Sequence, residues 1–338
     1  MKTSLCQTLA IELPIIQAPI GSATTPELAA AVSNSGGLGM LSVTWRSKDE
    51  IRIVIQKTKA LTNKPFGVNL VLEFEVIDKL KICLDEGIKI ISLFWGVPNR
   101  YIDLAHDAGA TVLHSVGDTV EAKQAVEAGA DIIVAQGWES GGHVRGNIGT
   151  MALIPAVVDT VAPVPVIAAG GIGDGRGIVA ALALGASGVW LGTRFLASHE
   201  AGIHQTYTEK LLAAKVEDTV YSTLFDLGWQ NAPHRTIANS TTKMWQNAGY
   251  PESGKRPREG EIVGSTATGE SISLYSDTIP LPDMEGDLEA LALYAGQSVG
   301  LINNREFSSK IVAKLVDEIE ITYESLAKLT LLKSENKH

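Results

Sequence analysis

The fold is decided by Ala168-Ala169-Gly170-Gly171-Ile172-Gly173 and, further along, Gly188-Val189-Trp190-Leu191-Gly192-Thr193-Arg194. Each stretch is a short apolar run that ends in residues small enough for backbone N–H groups to approach a phosphate. If the two runs are neighbouring parallel strands, their carboxyl ends share one edge, and the second opens into a helix N-terminus. The pair therefore predicts an anion-binding edge for a phosphate-bearing molecule.

The same alternation of strand and helix extends away from this pair in both directions. From Pro14 to about Ser198 the chain repeats an apolar, β-branched run, a loop, a helical pattern and a glycine. The predicted strands are Ile15–Ile20, Leu38–Val43, Phe66–Val71, Lys89–Phe94, Ala110–Ser115, Asp131–Gln136, Pro165–Ala169 and Gly188–Leu191. Their nearly continuous apolar interiors are typical of strands that are covered on both faces. Eight such units predict a (β/α)8 barrel, a TIM barrel of the α/β class.

Local signals at the helix ends support this count. Thr25 precedes a proline at the first helical position, Ser47 and Glu50 have the spacing of a capping box, and Asp118 and Asp174 are predicted N-caps. Glycines follow four of the helical patterns, where the chain must turn left-handed. These are Gly87, Gly109, Gly129 and Gly185.

The repeat is lost after about Ala201, and the sequence predicts three regions. Residues 1–200 form the barrel with the ligand site, residues 201–285 form an irregular cap over the barrel mouth, and residues 286–338 form C-terminal helices that pack on the barrel. The cap is polar and rich in proline and glycine between Trp229 and Pro282. Two helical patterns follow it, Asp287–Val299 and Ser308–Leu329, and the second is amphipathic.

Composition limits the class of protein. The 338 residues are 45% hydrophobic, which is enough for a large core, and the net charge of −10 argues against attraction to nucleic acid or an anionic membrane. Cys6 and Cys83 form neither a disulfide framework nor a metal-ligand cluster. No apolar run approaches the roughly 18 residues that a membrane span needs. We therefore expect a cytoplasmic protein with a small-molecule ligand and no metal.

The richest predicted strand end is the sixth, where Gln136–Gly146 carries several glycines together with Glu139, His143 and Arg145. A histidine exchanges protons near neutral pH, and glycines let a ligand approach the backbone closely. His143 is therefore the candidate catalytic residue, although a structural histidine that bonds a carbonyl is the alternative. His114, close to the end of the fifth strand, is a weaker candidate. Arg145 favours an anionic substrate if it turns inward, and is a solvated loop charge if it turns outward.

Two other strand ends suggest contacts to a planar ligand. Asn69 is a polar residue in an otherwise apolar third strand, and its amide needs a partner, which either a heterocycle or the neighbouring backbone would supply. Ala18, Pro19 and Ile20 follow the first strand and present backbone groups with little bulk, so a flat ring could lie against them. A tight loop without a ligand is the other interpretation of this segment.

Six motifs in order resemble one known family. They are Gln17-Ala18-Pro19-Ile20, Ala30-Ala31-Val32-Ser33-Asn34-Ser35-Gly36-Gly37-Leu38-Gly39, Gly67-Val68-Asn69, Glu139-Ser140-Gly141-Gly142-His143, Ala168-Ala169-Gly170-Gly171-Ile172 and Leu191-Gly192-Thr193-Arg194-Phe195. In this order and spacing they look like the nitronate monooxygenase family, formerly called 2-nitropropane dioxygenases, which are FMN-dependent (β/α)8 barrels. The later Tyr294-Ala295-Gly296-Gln297-Ser298-Val299-Gly300 also resembles that family's C-terminal segment.

The resemblance implies a set of roles at the site. The FMN phosphate would be held by Gly171 and by the backbone around Gly192 and Thr193. Asn69, Gln136 and Gly141 would contact the flavin or its ribityl chain, and Ala18, Pro19 and Ile20 would back the ring. Gly142 and Gly170 also belong to the predicted cofactor-binding residues. His143 would remove the α-proton of a nitroalkane or bind the nitronate, with O2 as the second substrate. Two features depart from the family members that oxidise nitronates, which usually have methionine where Ile20 stands and a longer segment after the histidine.

The expected function is therefore the oxidation of alkyl nitronates by molecular oxygen. One alternative is an FMN-dependent reductase of the enoyl-acyl-carrier-protein type that uses NAD(P)H. A second is a flavin-free barrel that acts as a lyase or isomerase on a phosphorylated substrate, and a third is a non-catalytic module that binds flavin or another ligand. The amphipathic C-terminal helix also allows a homodimer.

Overall fold

A closed ring of eight parallel strands forms the centre of the computed structural model, which describes residues 2–335. The ring strands are β1 (Ile15–Gln17), β2 (Gly39–Ser42), β3 (Phe66–Val71), β4 (Ile90–Phe94), β5 (Thr111–Val116), β6 (Ile132–Gln136), β8 (Val166–Ala169) and β9 (Gly188–Leu191). They lie in the order β1-β9-β8-β6-β5-β4-β3-β2. The N–H of Gln17 donates to the Leu38 carbonyl at 2.9 Å, and this bond closes the ring. The predicted (β/α)8 barrel is confirmed.

Helices cover the outside of this ring and continue into the later part of the chain. They are α1 (Ser4–Leu9), α2 (Pro26–Asn34), α3 (Lys48–Leu61), α4 (Ile77–Asp85), α5 (Asn99–Asp107), α6 (Thr119–Glu127), α7 (Thr150–Val161), α8 (Gly175–Ala183), α9 (Thr193–Leu196), α10 (Gln205–Ala213), α11 (Ser240–Asn247) and α12 (Ser308–Glu335). The main core lies between the strands and this helical layer. Among residues 2–335, no helix is long and apolar enough to cross a membrane.

The predicted helix caps are confirmed. The Thr25 hydroxyl accepts from the N–H of Leu28 at 3.0 Å, and Ser47 forms a complete capping box with Glu50. The carboxylates of Asp118 and Asp174 accept N–H bonds from the first turns of α6 and α8. Gly87, Gly109, Gly129 and Gly185 all have positive φ, as the turns after helices require. These local signals therefore set the boundaries of the barrel elements.

The first strand is shorter than predicted. It ends at Gln17 rather than Ile20, because Pro19 has no N–H to donate and the chain turns across the barrel mouth. A short 3-10 helix, Gly21–Ala23, follows directly. The remaining predicted strands are observed within one or two residues of their expected ends.

The region predicted as an irregular cap contains two small antiparallel sheets in addition to α10 and α11. Their strands are β7 (Gly142–His143), β10 (Thr219–Ser222), β11 (His234–Ile237), β12 (Ile262–Ser265), β13 (Ser271–Ser273) and β14 (Glu285–Gly286). One sheet has the order β10-β11-β7 and the other β13-β12-β14. Because β7 belongs to the loop after β6, the first sheet joins this region to the barrel mouth. The division of the chain at 200 and 285 stays a prediction.

The predicted helix over Asp287–Val299 is wrong. Only two 3-10 turns form there, Leu288–Ala290 and Gln297–Leu301, with extended backbone between them. The N–H of Ile237 donates to the Leu293 carbonyl at 2.7 Å, and Tyr294 pairs with Thr236. The apolar residues of this segment are therefore buried beside β11 rather than on a helix face. The second predicted helix is present as α12, which packs against α8 and α2.

Candidate active site

A cavity of about 390 Å³ lies at the carboxyl end of the barrel. All twelve residues predicted for the site line this cavity: Ala18, Pro19, Ile20, Asn69, Gln136, Gly141, Gly142, His143, Gly170, Gly171, Gly192 and Thr193. They come from five separate loops or strand ends. Parallel strands place their carboxyl ends on one face of a barrel, which explains why residues so far apart in sequence meet here.

The glycine turn after β8 leaves main-chain donors free at this cavity. Gly170 and Gly171 have φ of 101° and 70°, which only glycine adopts easily. Within residues 2–335, no acceptor is found for the N–H groups of Gly171, Ile172 or Gly192. The Thr193 hydroxyl accepts from the N–H of Gly296 at 3.0 Å, which ties the turn after β9 to the C-terminal segment. These unpaired donors are where the sequence predicts a phosphate.

Three buried side-chain atoms on β6 and its following loop also lack partners. They are Gln136 Oε1, Ser140 Oγ and His143 Nε2, and all three residues line the cavity. Buried polar atoms are nearly always hydrogen-bonded in native proteins, so a cluster of unpaired ones facing a cavity indicates a ligand site. The Asn69 side chain is buried at the cavity wall and likewise makes no hydrogen bond to a described residue.

His143 is held in place by backbone pairing and ring contacts. Its carbonyl accepts from Gln136 Nε2 at 3.0 Å, and its strand pairs with β11 so that His143 lies opposite His234. The Trp229 ring lies 4.2 Å from the imidazole at an interplanar angle of 31°. Burial, with a smaller contribution from His234, lowers the pKa of His143 to about 3. The imidazole is therefore neutral near pH 7, and one of its ring nitrogens is unprotonated.

His234 supports this arrangement from outside the cavity. Its Nδ1 lies 2.9 Å from the Ala232 carbonyl, and its Nε2 accepts from the N–H of Phe225 at 3.2 Å. Burial lowers the pKa of His234 to about 4. Because one ring nitrogen faces a carbonyl and the other an N–H, the ring is neutral with its proton on Nδ1. It therefore fixes the strand opposite His143 without adding charge.

Three residues that sequence reasoning brought near the site do not line the cavity. The Glu139 carboxylate accepts from the N–H of Thr150 at 2.9 Å and so stabilises the start of α7. Arg145 pairs with Glu121 and lies over the Trp95 ring, which agrees with the outward orientation of its charge. His114 is buried on β5 outside the cavity wall.

The cavity also contains residues that sequence reasoning missed. Trp45, Tyr207, Trp229, Asp277, Tyr294 and Ser298 all line it. Trp229 was assigned only to the cap, and Tyr294 and Ser298 were noted only as part of a motif. The sequence signal for Tyr294 and Ser298 was the resemblance of residues 294–300 to the C-terminal segment of the family. Nothing in the local sequence placed Asp277 or Trp45 at the site.

The C-terminal segment reaches the cavity through a close approach of two backbones. A Cβ on Gly141 would lie 2.3 Å from the nitrogen of Gly296, and the N–H of Gln297 donates to the Glu139 carbonyl at 2.9 Å. Contacts this close leave no room for a side chain on either glycine. The glycines of the histidine loop therefore serve packing as well as ligand access.

Comparison with known proteins agrees with this geometry. The sequence profile of the nitronate monooxygenase family matches residues 2–78 and 73–318. The chain belongs to the nitronate monooxygenase family. Members of this family are oxidoreductases, and flavin use is typical of them. The nitronate monooxygenase of Paraburkholderia phytofirmans is 33% identical, over 96% of this chain and 97% of its own length.

Other proteins that are similar to this chain over almost its whole length have different names. A (3aS,4S,5R,7aS)-5-hydroxy-7a-methyl-1-oxo-octahydro-1H-indene-4-carboxyl-CoA dehydrogenase of Mycobacterium tuberculosis is 31% identical, over 94% of this chain and 95% of its own. The structure of FabK from Thermotoga maritima superposes with a TM-score of 0.84 at 34% identity, covering 97% of this chain and 99% of FabK. The chain is therefore similar over most of its length to proteins with more than one named function.

Proposed function

We propose that this protein is an FMN-dependent nitronate monooxygenase that oxidises alkyl nitronates with molecular oxygen. One observation carries the proposal: His143, uncharged and with a buried, unpaired Nε2, lines the same cavity as the unpaired N–H groups of Gly171, Ile172 and Gly192. The proposed reaction needs a group that exchanges a proton with the substrate and a site that binds the FMN phosphate. The imidazole suits the first need and the unpaired N–H groups suit the second.

The residues of the cavity fit FMN. The N–H groups after β8 and β9 suit the terminal phosphate, as donors at glycine turns do. Asn69 supplies a side-chain amide and Gln136 an amide oxygen, Oε1, that have no partners of their own, and the chain at Ala18 to Ile20 forms a wall for a planar ring. Bound FMN would supply the electron transfer to oxygen.

The protein's own contribution to the reaction centres on His143. A neutral imidazole accepts the α-proton of a nitroalkane, or donates a hydrogen bond to a nitronate oxygen. Contact with Trp229 on one face limits how the imidazole can rotate, and the pairing of β7 with β11 fixes its backbone. This preorganisation supports a role for His143 in positioning and deprotonating a small carbon acid.

An aromatic wall beside His143 supports an alkyl substrate. Trp229 contacts Phe74, Trp95 and Trp45, with ring centroids 5.5, 4.9 and 6.5 Å away. Trp45 is 48% exposed and lines the cavity, so the apolar surface extends from the imidazole to solvent. Such a wall favours an apolar chain attached to the reacting carbon.

An anaerobic reduction experiment tests the proposal. Purified protein should be yellow, or take up added FMN, and a nitronate alone should bleach the flavin in the absence of oxygen. Readmitted oxygen should then restore the flavin absorbance. A protein that stays colourless with added FMN would contradict the proposal and favour a flavin-free lyase or isomerase. Flavin that binds but is not reduced by any nitronate would also contradict the proposed reaction. If NAD(P)H does not reduce this flavin either, a non-catalytic binding module would be favoured.

Reduction of an enoyl substrate by NAD(P)H is the second candidate. It is supported by the similarity to FabK over almost the whole chain, and by isoleucine at position 20. The same anaerobic experiment distinguishes the two reactions, because rapid bleaching by NADH with no effect of a nitronate would favour the reductase. A panel of nitronates, enones and quinones, offered to the bound flavin, would then define the substrate.

We also propose that the protein works as a homodimer. The later part of α12 carries exposed apolar side chains, among them Ile321, Tyr323 and Leu329, which are 67%, 69% and 62% exposed. Exposed apolar residues along one helix are a common feature of association surfaces. Light scattering during size-exclusion chromatography tests the proposal: a dimer mass is expected, and a monomer mass would contradict it.

A further inference from the structure

One carboxyl group lies in the cavity wall without a cation. Asp277 lines the cavity on the side formed by the later part of the chain. Among residues 2–335, its carboxylate forms no ion pair and no hydrogen bond with another side chain, and its own backbone N–H is the one group that favours its charge. Asp277 is half-buried, and a carboxylate that is partly removed from water normally has a cationic or hydrogen-bonding partner. Asp277 therefore differs from the structural acids of this fold.

The surroundings of Asp277 provide no compensating charge. Asp226 is the charged residue that acts on Asp277, and its carboxylate is already paired with Arg256 at 2.8 Å. Arg256 also pairs with Glu259, so its charge is shared between two acids. On the other side, a Cβ on Gly228 would lie 2.5 Å from Asp277 Oδ1, which shows that the backbone packs directly against the carboxylate.

The remaining titratable groups around this part of the cavity are uncharged. The Tyr294 hydroxyl donates to the Asp277 carbonyl at 3.3 Å, and burial holds its pKa well above the usual range. His143 and His234 are neutral because burial lowers the pKa of both. Burial, with a smaller effect of Asp226, raises the pKa of Asp277 to about 6. Asp277 is therefore neutral below about pH 6 and negative above it.

We infer that Asp277 is a specificity-determining residue, which admits anionic substrates to the cavity when it is protonated and repels them when it is ionised. This inference rests on the proposed function, because a nitronate is an anion and its parent nitroalkane is neutral. Ionised Asp277 in the cavity wall would weaken binding of the nitronate and leave binding of the nitroalkane nearly unchanged. The pH would therefore determine which of these two forms of one compound binds more tightly in the cavity.

Steady-state kinetics with Asp277→Asn test this role. Propane-1-nitronate is prepared as the anion, which takes up a proton on carbon slowly, and oxygen uptake is measured from about pH 5 to about pH 8. The wild-type KM should rise roughly tenfold over this range, which corresponds to one pKa unit of coupling. The KM of Asp277→Asn should stay flat over the same range. Identical KM profiles in the two proteins would overturn the inference.

A second readout separates this inference from the proposed function. An acid whose pKa is raised by folding binds its proton more tightly in the native state, so native stability falls as the pH rises through about 6. Asp277→Asn should therefore raise Tm more at about pH 8 than at about pH 5. Asp283→Asn, an exposed acid on the same segment, is the control and should shift Tm equally at both values.

The outcomes are distinguishable. If the wild-type protein does not oxidise nitronates, the proposed function fails, and the Tm comparison still reports whether Asp277 is protonated near pH 5. An equal Tm effect of Asp277→Asn at both pH values would overturn the inference whatever the reaction is. A pH-dependent Tm effect together with a pH-dependent KM, both lost in the variant, would support it.

Discussion

Burial sets the protonation states of His143 and Asp277, which face the same cavity. The imidazole loses its charge because desolvation disfavours the cation, and the carboxyl keeps its proton because desolvation disfavours the anion. Neither side chain has an ionic partner among the residues that the structure describes. Both groups are therefore neutral at mildly acidic pH, in a cavity that is lined largely by apolar and backbone atoms.

Replacement of His143 tests its role as a base. His143→Ala should lower kcat for a neutral nitroalkane by about 100- to 10 000-fold, since this is what a general base contributes. Flavin absorbance and Tm should remain close to those of the wild type. His199→Ala, at an exposed histidine far from the cavity, is the matched control and should keep full activity. Unchanged nitronate and nitroalkane turnover in His143→Ala would remove the histidine from the mechanism.

The pH dependence of kcat follows from the same burial. Because the pKa of His143 is lowered to about 3, the imidazole stays unprotonated throughout the range above about pH 5. We expect kcat for a nitroalkane to be flat between about pH 5 and pH 8, measured as initial oxygen uptake at saturating substrate. An acidic limb with an apparent pKa near 6.5 in kcat would show that His143 is not desolvated in the working enzyme.

At the scale of secondary-structure elements, the histidine loop and the segment 294–298 depend on each other. The loop supplies His143, and the segment brings Tyr294 and Ser298 to the opposite wall of the cavity. Their backbones touch at Gly141 and Gly296, where a Cβ on either residue would meet main-chain atoms of the other. A pair of glycines therefore joins two walls of one site.

Enlarging one of these glycines should separate the walls. Gly141→Ala places a Cβ 2.3 Å from the Gly296 nitrogen, so we expect the free energy of unfolding to fall by about 1–3 kcal/mol and the flavin to be lost more readily. Urea denaturation and flavin fluorescence measure the two effects. Gly109→Ala is the control, because its Cβ would meet nothing within 4 Å and its cost comes only from positive φ. Equal flavin retention in both variants would contradict the predicted coupling.

Arg256 joins two loops of the later region. Its guanidinium donates to the Leu224 carbonyl and to Asp226, both at 2.8 Å, pairs with Glu259 and lies 4.2 Å from the Tyr275 ring centroid. The side chain is 2% exposed. Loss of the cation would leave two partly buried carboxylates without their partner. The loops that carry Asp226 and Glu259 therefore depend on one side chain.

Removal of that side chain should destabilise the region strongly. Arg256→Ala should lower the free energy of unfolding by about 3–5 kcal/mol, as the loss of one partner of a buried pair does. Arg258→Ala provides the matched control, because Arg258 pairs with Glu261 at the surface and should give no measurable change. Chemical denaturation followed by tryptophan fluorescence measures both variants. A small effect of Arg256→Ala would show that solvent reaches the pair.

At the scale of the whole molecule, the C-terminal helix completes the outer layer of the barrel. Helix α12 packs on α8 and α2, and the Glu318 carboxylate accepts from the N–H of Gly175 at 2.9 Å. A Cβ on Gly175 would lie 2.4 Å from Glu318 Cβ, so the two helices are in close contact. The end of the chain thus stabilises the start of the helix that follows the glycine turn after β8.

This packing predicts a stability effect that is separate from catalysis. Leu315→Ala removes a side chain that is 2% exposed, so we expect a loss of about 2–5 kcal/mol in the free energy of unfolding. The kcat of the folded protein should stay unchanged. Leu329→Ala, on the same helix but 62% exposed, should have little effect. Thermal denaturation and activity at a temperature where both variants are folded provide the test, and a lower kcat in Leu315→Ala would contradict it.

The sequence alone determined the barrel because its signals are local. These signals are apolar runs, N-cap residues such as Ser47 and Asp118, and glycines with positive φ, and each acts within a few residues. A sheet built from repeated strand and helix units can then close into a barrel in only a few topologies. The glycine turns after β8 and β9 and the position of His143 followed from the same local patterns. Parallel strands then bring their carboxyl ends together without further information.

Tertiary structure decided the other wall of the cavity. The apolar spacing over residues 287–299 fits a helix, but pairing with β11 and contact with Gly141 hold this segment extended and carry Tyr294 to the site. Trp229 and Asp277 lie many residues from His143 along the chain, and only the packing of the region after the barrel brings them to it. Contacts between distant segments, and the pKa shifts that burial there produces, depend on how whole surfaces fit together, which no local pattern encodes.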